Sequence, residues 1–319
     1  MASEEPKVSV VLTTYNHERY IAAAIESVLC QETPFRFELL VADDGSTDGT
    51  AQVVRAFHAS HPDVVRPLLS PCNIGMMRNF CNAYRMCLGG YVALLEGDDF
   101  WTSTKKLQRL SDALDQHPEW SGCFHSARVV RAEDTASPHD YPRTKPAAPI
   151  SMPDVIKQNP ACTCSLMFRR DVLADLPPWL EGLAVGDWPI MLLLASRGPL
   201  GFVDENMAVY RIHAGSGWAQ QDIWFRTLWT LEMMSCVDEH LGYRFHREFQ
   251  QSMCRLAWSA ALRGPAGSAR RAARPAIAQL LSAADGGLRS RPSHGLLVAA
   301  LHAPRPLTLL VSRLWRTVA

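Results

Sequence analysis

Two acidic turns hold the residues best suited to chemistry in this 319-residue chain. Phe37 to Ala42, a strand-forming run like Val8 to Thr13, leads into Asp43-Asp44-Gly45-Ser46, and Tyr91 to Leu95 leads into Glu96-Gly97-Asp98-Asp99. Carboxylates crowded at the ends of buried strands repel one another and lose hydration, so a cation or a donor-rich group should fill the space between them. A metal-bound diphosphate meets that need, because a hard divalent ion takes oxygen ligands and joins carboxylates to phosphates. Each turn alone also reads as ordinary turn chemistry, and Asp48 suits an N-cap ahead of a helix from Thr50 to Ala59.

The elements that must position these residues alternate. Val8 to Thr13 reads as a buried strand, Tyr20 to Leu29 as a helix, Phe37 to Ala42 as the next strand, Val64 to Leu69 as a short one, Met76 to Leu88 as a helix and Tyr91 to Leu95 as a strand. Strands alternating with helices imply an α/β fold with a mainly parallel sheet covered on both faces. Ligands of such sheets bind beyond the carboxyl ends of the strands, where both acidic turns lie. Lys105 to Gln116 is expected as a helix, Trp120 to Arg131 as an extended segment, and the proline-rich Ala132 to Met152 as a mobile loop. Beyond it, Ser165 to Phe168 reads as a strand and Gly186-Asp187-Trp188 opens a helix through Ala195. Leu200 to Val203 and Met207 to Arg211 read as two short strands, and the pattern is helical from Asp222 to about Leu262.

With 47% hydrophobic and 20% charged residues the chain is globular and can bury a real core. Its formal charge is zero, yet ten arginines against one acid, Asp285, follow Gln251, so the preceding part is acidic and the predicted boundary divides 1–218 from a helical, Arg-rich extension, 219–319. Nine cysteines, an odd number without paired metal spacing, suit reduced thiols in a cytosolic protein. Met1 to Lys7 lacks an apolar core, so no signal peptide is expected, and no apolar run is long enough for a strong spanning helix. Leu296 to Leu301 and Leu307 to Leu314, with Arg313 and Arg316, read either as a peripheral membrane contact or as an amphipathic helix packed on its own domain. No Gly-x-Gly-x-x-Gly follows the first strand and no Walker loop is present.

Val10 to Asn16 (VVLTTYN), Ala42 to Thr50 (ADDGSTDGT), Asn73-x-Gly75 and Glu96 to Trp101 (EGDDFW) resemble, in the same order, the family 2 glycosyltransferases of the GT-A fold over about residues 7 to 215. The resemblance implies that Thr13 and Tyr15 border a nucleotide, that Asp44 hydrogen-bonds its base, and that Arg78 is a basic group near it. It implies Asp98 near the ribose or sugar, Asp99 as the ligand of Mn²⁺ or Mg²⁺, and Asp187 as catalytic base. Tyr210-Arg211-x-His213-x-x-Ser216 matches a further signature, with His213 as a candidate ligand of the metal or a phosphate oxygen. Lys106-Leu107 fits the family, whereas Ser103 and Thr104 stand where a proline is common. The implied activity is inverting transfer from a nucleotide diphosphate sugar, a UDP-sugar by preference, to a hydroxyl of a glycan or lipid-linked acceptor in bacterial cell-surface polysaccharide or glycan synthesis. It would act in the cytoplasm or at the inner face of the membrane, with no nucleic-acid partner. The rival readings are a nucleotidyltransferase, whose triphosphate loop is missing, and a non-catalytic sugar-nucleotide binding module.

Overall fold

A computed structural model describes residues 5–131, 134–218 and 221–263, with positions 274, 275 and 277. The chain divides into two compact units, Met1–His213 and Ala214–Ala319. In the first, strands β1 (Val8–Thr14), β2 (Phe37–Asp43), β3 (Val65–Leu69) and β4 (Tyr91–Glu96) lie parallel in the order β3-β2-β1-β4. Val10, Val11, Leu12, Leu39, Leu40 and Val41 are all buried, as expected for strands covered on both faces. Helix α1 (Ile21–Leu29) buries Ile21, Ala24, Ile25 and Val28, one stripe at helical spacing, and all four join Val10, Leu12 and Leu39 in the core. Helices α2 (Thr50–Ser60) and α3 (Met76–Arg85) complete the alternating half.

Register aligns the two acidic turns. Thr13 of β1 pairs with Ala42 on one side and Glu96 on the other, and Thr14 pairs with Asp43. Both turns therefore leave the same rim of the sheet on either side of β1.

The sheet continues through antiparallel β8 (Met167–Arg169), then β6 (Gly122–Arg131), β9 (Leu200–Ile212) and the two-residue β5 (Phe100–Trp101). Helix α4 (Lys106–Gln116) follows β5. Leu200 to Ile212 is one strand rather than two, because register shifts around Ser126 of β6 accommodate the exposed Asp204, Glu205 and Asn206 while pairing carries on. The segment expected as a mobile loop holds strand β7 (Asp134–Tyr141), antiparallel to β6, followed by irregular chain and helix α5 (Met152–Lys157). Proline is compatible with a strand at the edge, where an amide is not needed for pairing. Cys162 flanks and Cys164 occupies a 3-10 turn (Thr163–Ser165), and all nine cysteines are free. Helix α6 (Asp187–Ala195) is buried from Trp188 to Ala195.

The second unit holds α7 (Ile223–His240), capped by Asp222 accepting from the Trp224 amide at 2.8 Å, and α8 (His246–Arg263). The continuous helical pattern is interrupted because Gly242 and Tyr243 adopt φ of 60° and 61°, a left-handed conformation that ends a helix. The segments 296–301 and 307–314, read either as a peripheral membrane contact or as a packed amphipathic helix, lie outside the described residues. Among the described residues no helix is long and apolar enough to cross a membrane.

Candidate active site

The turn after β4 is built against the end of β1. A Cβ at Gly97 would collide with Thr14 Oγ1 and stand 2.9 Å from His17 Nδ1, so only glycine lets the turn come this close. Asp98 then faces inward, with Oδ2 3.0 Å from His213 Nε2 and 3.9 Å from His17 Nε2. His17 Nδ1 is 3.2 Å from Thr14 Oγ1, and the His213 ring lies 4.7 Å from that of Tyr20. His17, Asp98 and His213 each offer a ligand atom, all within 4.8 Å of one another. Burial would raise the Asp98 carboxyl, but the hydrogen bond from His213 and the charge of His17 bring it below the ordinary carboxylate range. Burial lowers the His17 imidazole, favouring its neutral form.

Asp99 is placed differently from its neighbour. It is fully buried; Oδ1 accepts from the Arg211 amide at 2.8 Å, the Cys164 thiol lies within reach of the carboxyl, and Oδ2 has no nitrogen or oxygen partner among the described residues. Burial, then the charges of Asp98 and Glu96, push it well above the ordinary range. Arg211 also donates from Nη1 to the Asp98 carbonyl at 2.8 Å, so β9 braces the turn and delivers His213 beside it. The sequence reading gave the cation to Asp99 with His213 and the sugar to Asp98. The trio of potential ligands is instead centred on Asp98 and includes His17, which that reading passed over. His17 was visible only as the residue after Tyr15-Asn16, and nothing in its own neighbours announces the long-range pairing of β1 with β4.

The turn after β2 ties its acids to neighbouring donors, although burial still raises the Asp43 carboxyl. Asp43 accepts from the Ser46 hydroxyl. Asp44 is buried, and its two oxygens accept from the amides of Ile74 and Gly75 at 2.8 and 3.1 Å. Asp48 accepts from the Thr50 amide and hydroxyl at 3.0 and 2.6 Å and from the Glu18 amide at 3.1 Å, although Gly49 rather than Asp48 is the N-cap residue. Gly45, at φ 70°, packs on the backbone of Cys72 and Asn73 too closely for any side chain. Thr13 is half-buried at the end of β1 and Tyr15 is exposed beside it. Arg78, on α3, is exposed and pairs with Glu181 at 3.4 Å.

Asp187 opens α6. Its Oδ2 accepts from Asn159 Nδ2 at 2.8 Å and its Oδ1 from the Trp188 amide at 2.7 Å. Burial raises its carboxyl, and the bonds from Asn159 and Trp188 pull it back in part. Glu96, at the end of β4, is pushed up to about 8 by burial and by the charges of Asp98 and Asp187. Glu96 thus feels the charges of both Asp98 and Asp187, while Asp44 faces the loop at 73–75. Asn159 and Glu96 had no distinguishing mark in the sequence beyond their types.

The description "Glycosyl transferase family 2" matches residues 9–176, the part that contains both acidic turns. The chain belongs to this family. The family 2 chain is 36% identical over 211 residues to an uncharacterized protein of Mycobacterium tuberculosis, covering 66% of this chain and 60% of that one. It therefore spans about three fifths of the length of that curated relative. Its architecture is of the GT-A type: Staphylococcus aureus TarS, solved in complex with UDP, superposes with a TM-score of 0.62 at 18% identity, covering 98% of this chain and 90% of TarS. The mannosyltransferase PcManGT of Pyrobaculum calidifontis, solved with GDP-Man and Mn²⁺, gives 0.56 at 17% identity, covering 95% and 88%.

Proposed function

We propose that this family 2 member transfers a glycosyl group from a nucleotide diphosphate sugar to an acceptor hydroxyl with inversion at the anomeric carbon. The observation that carries this reading is the cluster of potential ligands His17, Asp98 and His213 at the turn after β4, with the candidate base Asp187 close enough for its charge to act on Glu96 of the same turn. In this reading residues 1–218 are the catalytic domain. Asp187 takes the proton of the acceptor hydroxyl as that oxygen attacks the anomeric carbon and the bond to the diphosphate oxygen breaks. Asn159 and the Trp188 amide hold the carboxylate in orientation. Thr13, Tyr15, Asp44 and Arg78 are assigned to the nucleotide side, Asp44 acting at least in part through the 73–75 loop that it anchors. A divalent cation fits His17, Asp98 and His213, and when bound it would supply charge stabilisation to the departing diphosphate. Asp99, tied to Arg211, positions that turn rather than serving as first choice of ligand.

UDP-sugars are the favoured donors, supported by the fold shared with TarS, whose structure holds UDP, although the second neighbour holds GDP-Man. The acceptor is a glycan or lipid-linked hydroxyl in cell-surface polysaccharide synthesis, handled on the cytoplasmic side of the membrane. Nucleoside diphosphate release from a panel of nucleotide sugars, with and without acceptor, tests the activity. Asp187→Asn should retain donor-induced thermal stabilisation while turnover falls at least about a hundredfold. Unchanged turnover would refute the base. Because Asp187 works deprotonated and its pKa is raised in the free protein, the acid limb of kcat/KM should lie above the usual aspartate value of about 3.9. Asn159→Ala removes a bond that favours the charged form and should move that limb further up.

A further inference from the structure

We infer that His17 is a third ligand of the cation site and that its imidazole makes the site select a first-row transition ion such as Mn²⁺ over Mg²⁺. The inference rests on the reading above only in requiring that a divalent cation bind between β1 and β4. Two donors held about 2.1 Å from one octahedral ion stand about 3.0 Å apart in cis and about 4.2 Å apart in trans. Asp98 Oδ2 lies 3.0 Å from His213 Nε2 and 3.9 Å from His17 Nε2, and the three ligand atoms lie within 4.8 Å of one another. One ion can therefore reach all three with small side-chain movements, keeping other positions for diphosphate oxygens or water.

The surroundings prepare His17 for this role. Nδ1 lies 3.2 Å from Thr14 Oγ1, a hydroxyl that can accept from Nδ1–H once an ion takes the Nε2 lone pair, the usual arrangement behind a ligating histidine. Gly97 lets the β4 turn approach Thr14 and His17, so the glycine serves the geometry of both imidazole and carboxylate. His17 N also donates to Thr50 Oγ1 at 2.9 Å, which ties its backbone to the start of α2. Two imidazoles and one carboxylate form a donor set suited to transition ions, whereas Mg²⁺ favours oxygen ligands and retains its waters. Had Asp98 and Asp99 been the ligands, an all-oxygen set would discriminate little.

The experiment uses the full chain and Mn²⁺ alone, with free Mn²⁺ counted by electron paramagnetic resonance and Mg²⁺ as competitor. The native protein should bind Mn²⁺ without nucleotide and resist a tenfold excess of Mg²⁺. His17→Ala should weaken Mn²⁺ binding about tenfold or more, narrow the preference over Mg²⁺, and remove one of two imidazole nitrogen couplings from the pulsed spectrum. His17→Gln, which can keep a bond to Thr14, should show the same loss of a nitrogen coupling with an unchanged melting temperature, separating ligation from folding. Mn²⁺ affinity and nitrogen couplings unchanged in both His17 variants, with binding lost in Asp98→Ala, would overturn the role of His17 and leave the glycosyltransferase reading standing. A native chain that binds no Mn²⁺ even with a nucleoside diphosphate present, yet turns over, would overturn the inference and the metal assignment together.

Discussion

The turns after β2 and β4 have nearly the same composition and leave the same rim of the sheet, yet their carboxylates are in opposite condition. Asp44 and Asp48 accept backbone amides from Ile74, Gly75, Thr50 and Glu18, so their charge is consumed in holding loops. In the other turn Asp99 keeps a buried oxygen with no nitrogen or oxygen partner among the described residues, Glu96 is raised to about 8, and Asp98 meets two histidines. A buried polar atom left unmatched is costly, and strongly perturbed acids gather at functional sites. Acidity at a strand end therefore says little by itself. The supply of local donors decides whether an acid builds the scaffold or faces a ligand.

The contrast can be broken most severely at Asp98. Asp98→Ala should lower kcat/KM by about three powers of ten, the scale of losing several kcal/mol of charge stabilisation, while melting temperature changes little; steady-state kinetics and calorimetry check both. A mild kinetic effect with a large loss of stability would make the second turn as structural as the first.

A second test addresses the ground beneath that turn. Lys106 is fully buried, donates to the Cys164 carbonyl at 2.6 Å, and lies 3.7 Å from the centre of the Trp101 ring. Burial brings its ammonium down to about 7 from 10.5. The folded state then binds fewer protons than the unfolded one between those values, so stability should rise with pH from about 7 to about 10.5, by up to about 1.4 kcal/mol per pH unit. Lys106→Met should flatten that rise in denaturation profiles. A rise of the same steepness in the variant would show that the lysine stays charged through the range.

The smallest effect is expected on the scaffold side. Asp44→Ala strands the amides of Ile74 and Gly75 and should cost about 1 to 3 kcal/mol of stability. Donor KM should rise because the 73–75 loop is released, and kcat should be largely kept. A fall in kcat to match that of Asp98→Ala would place Asp44 in the chemistry and dissolve the distinction between the turns.

The sequence by itself determined the alternating architecture and the rim on which the acids lie, because hydrophobic runs, helical spacing and turn residues are local properties. It also marked Asp187 at a helix start. Only the tertiary structure decided that Asp98 and not Asp99 stands among the imidazoles, since adjacent residues in a tight turn point in different directions and no local pattern tells which one meets the histidines. The same holds for His17, 81 positions from Asp98 in the chain and 3.9 Å from it in space through the parallel pairing of β1 with β4. The strand at 134–141 and the single β9 were likewise hidden, because edge pairing is supplied by β6 rather than by the propensities of their own residues. Propensity acts within a few residues, whereas ligand sets and strand partners depend on which distant segments the packed sheet brings together.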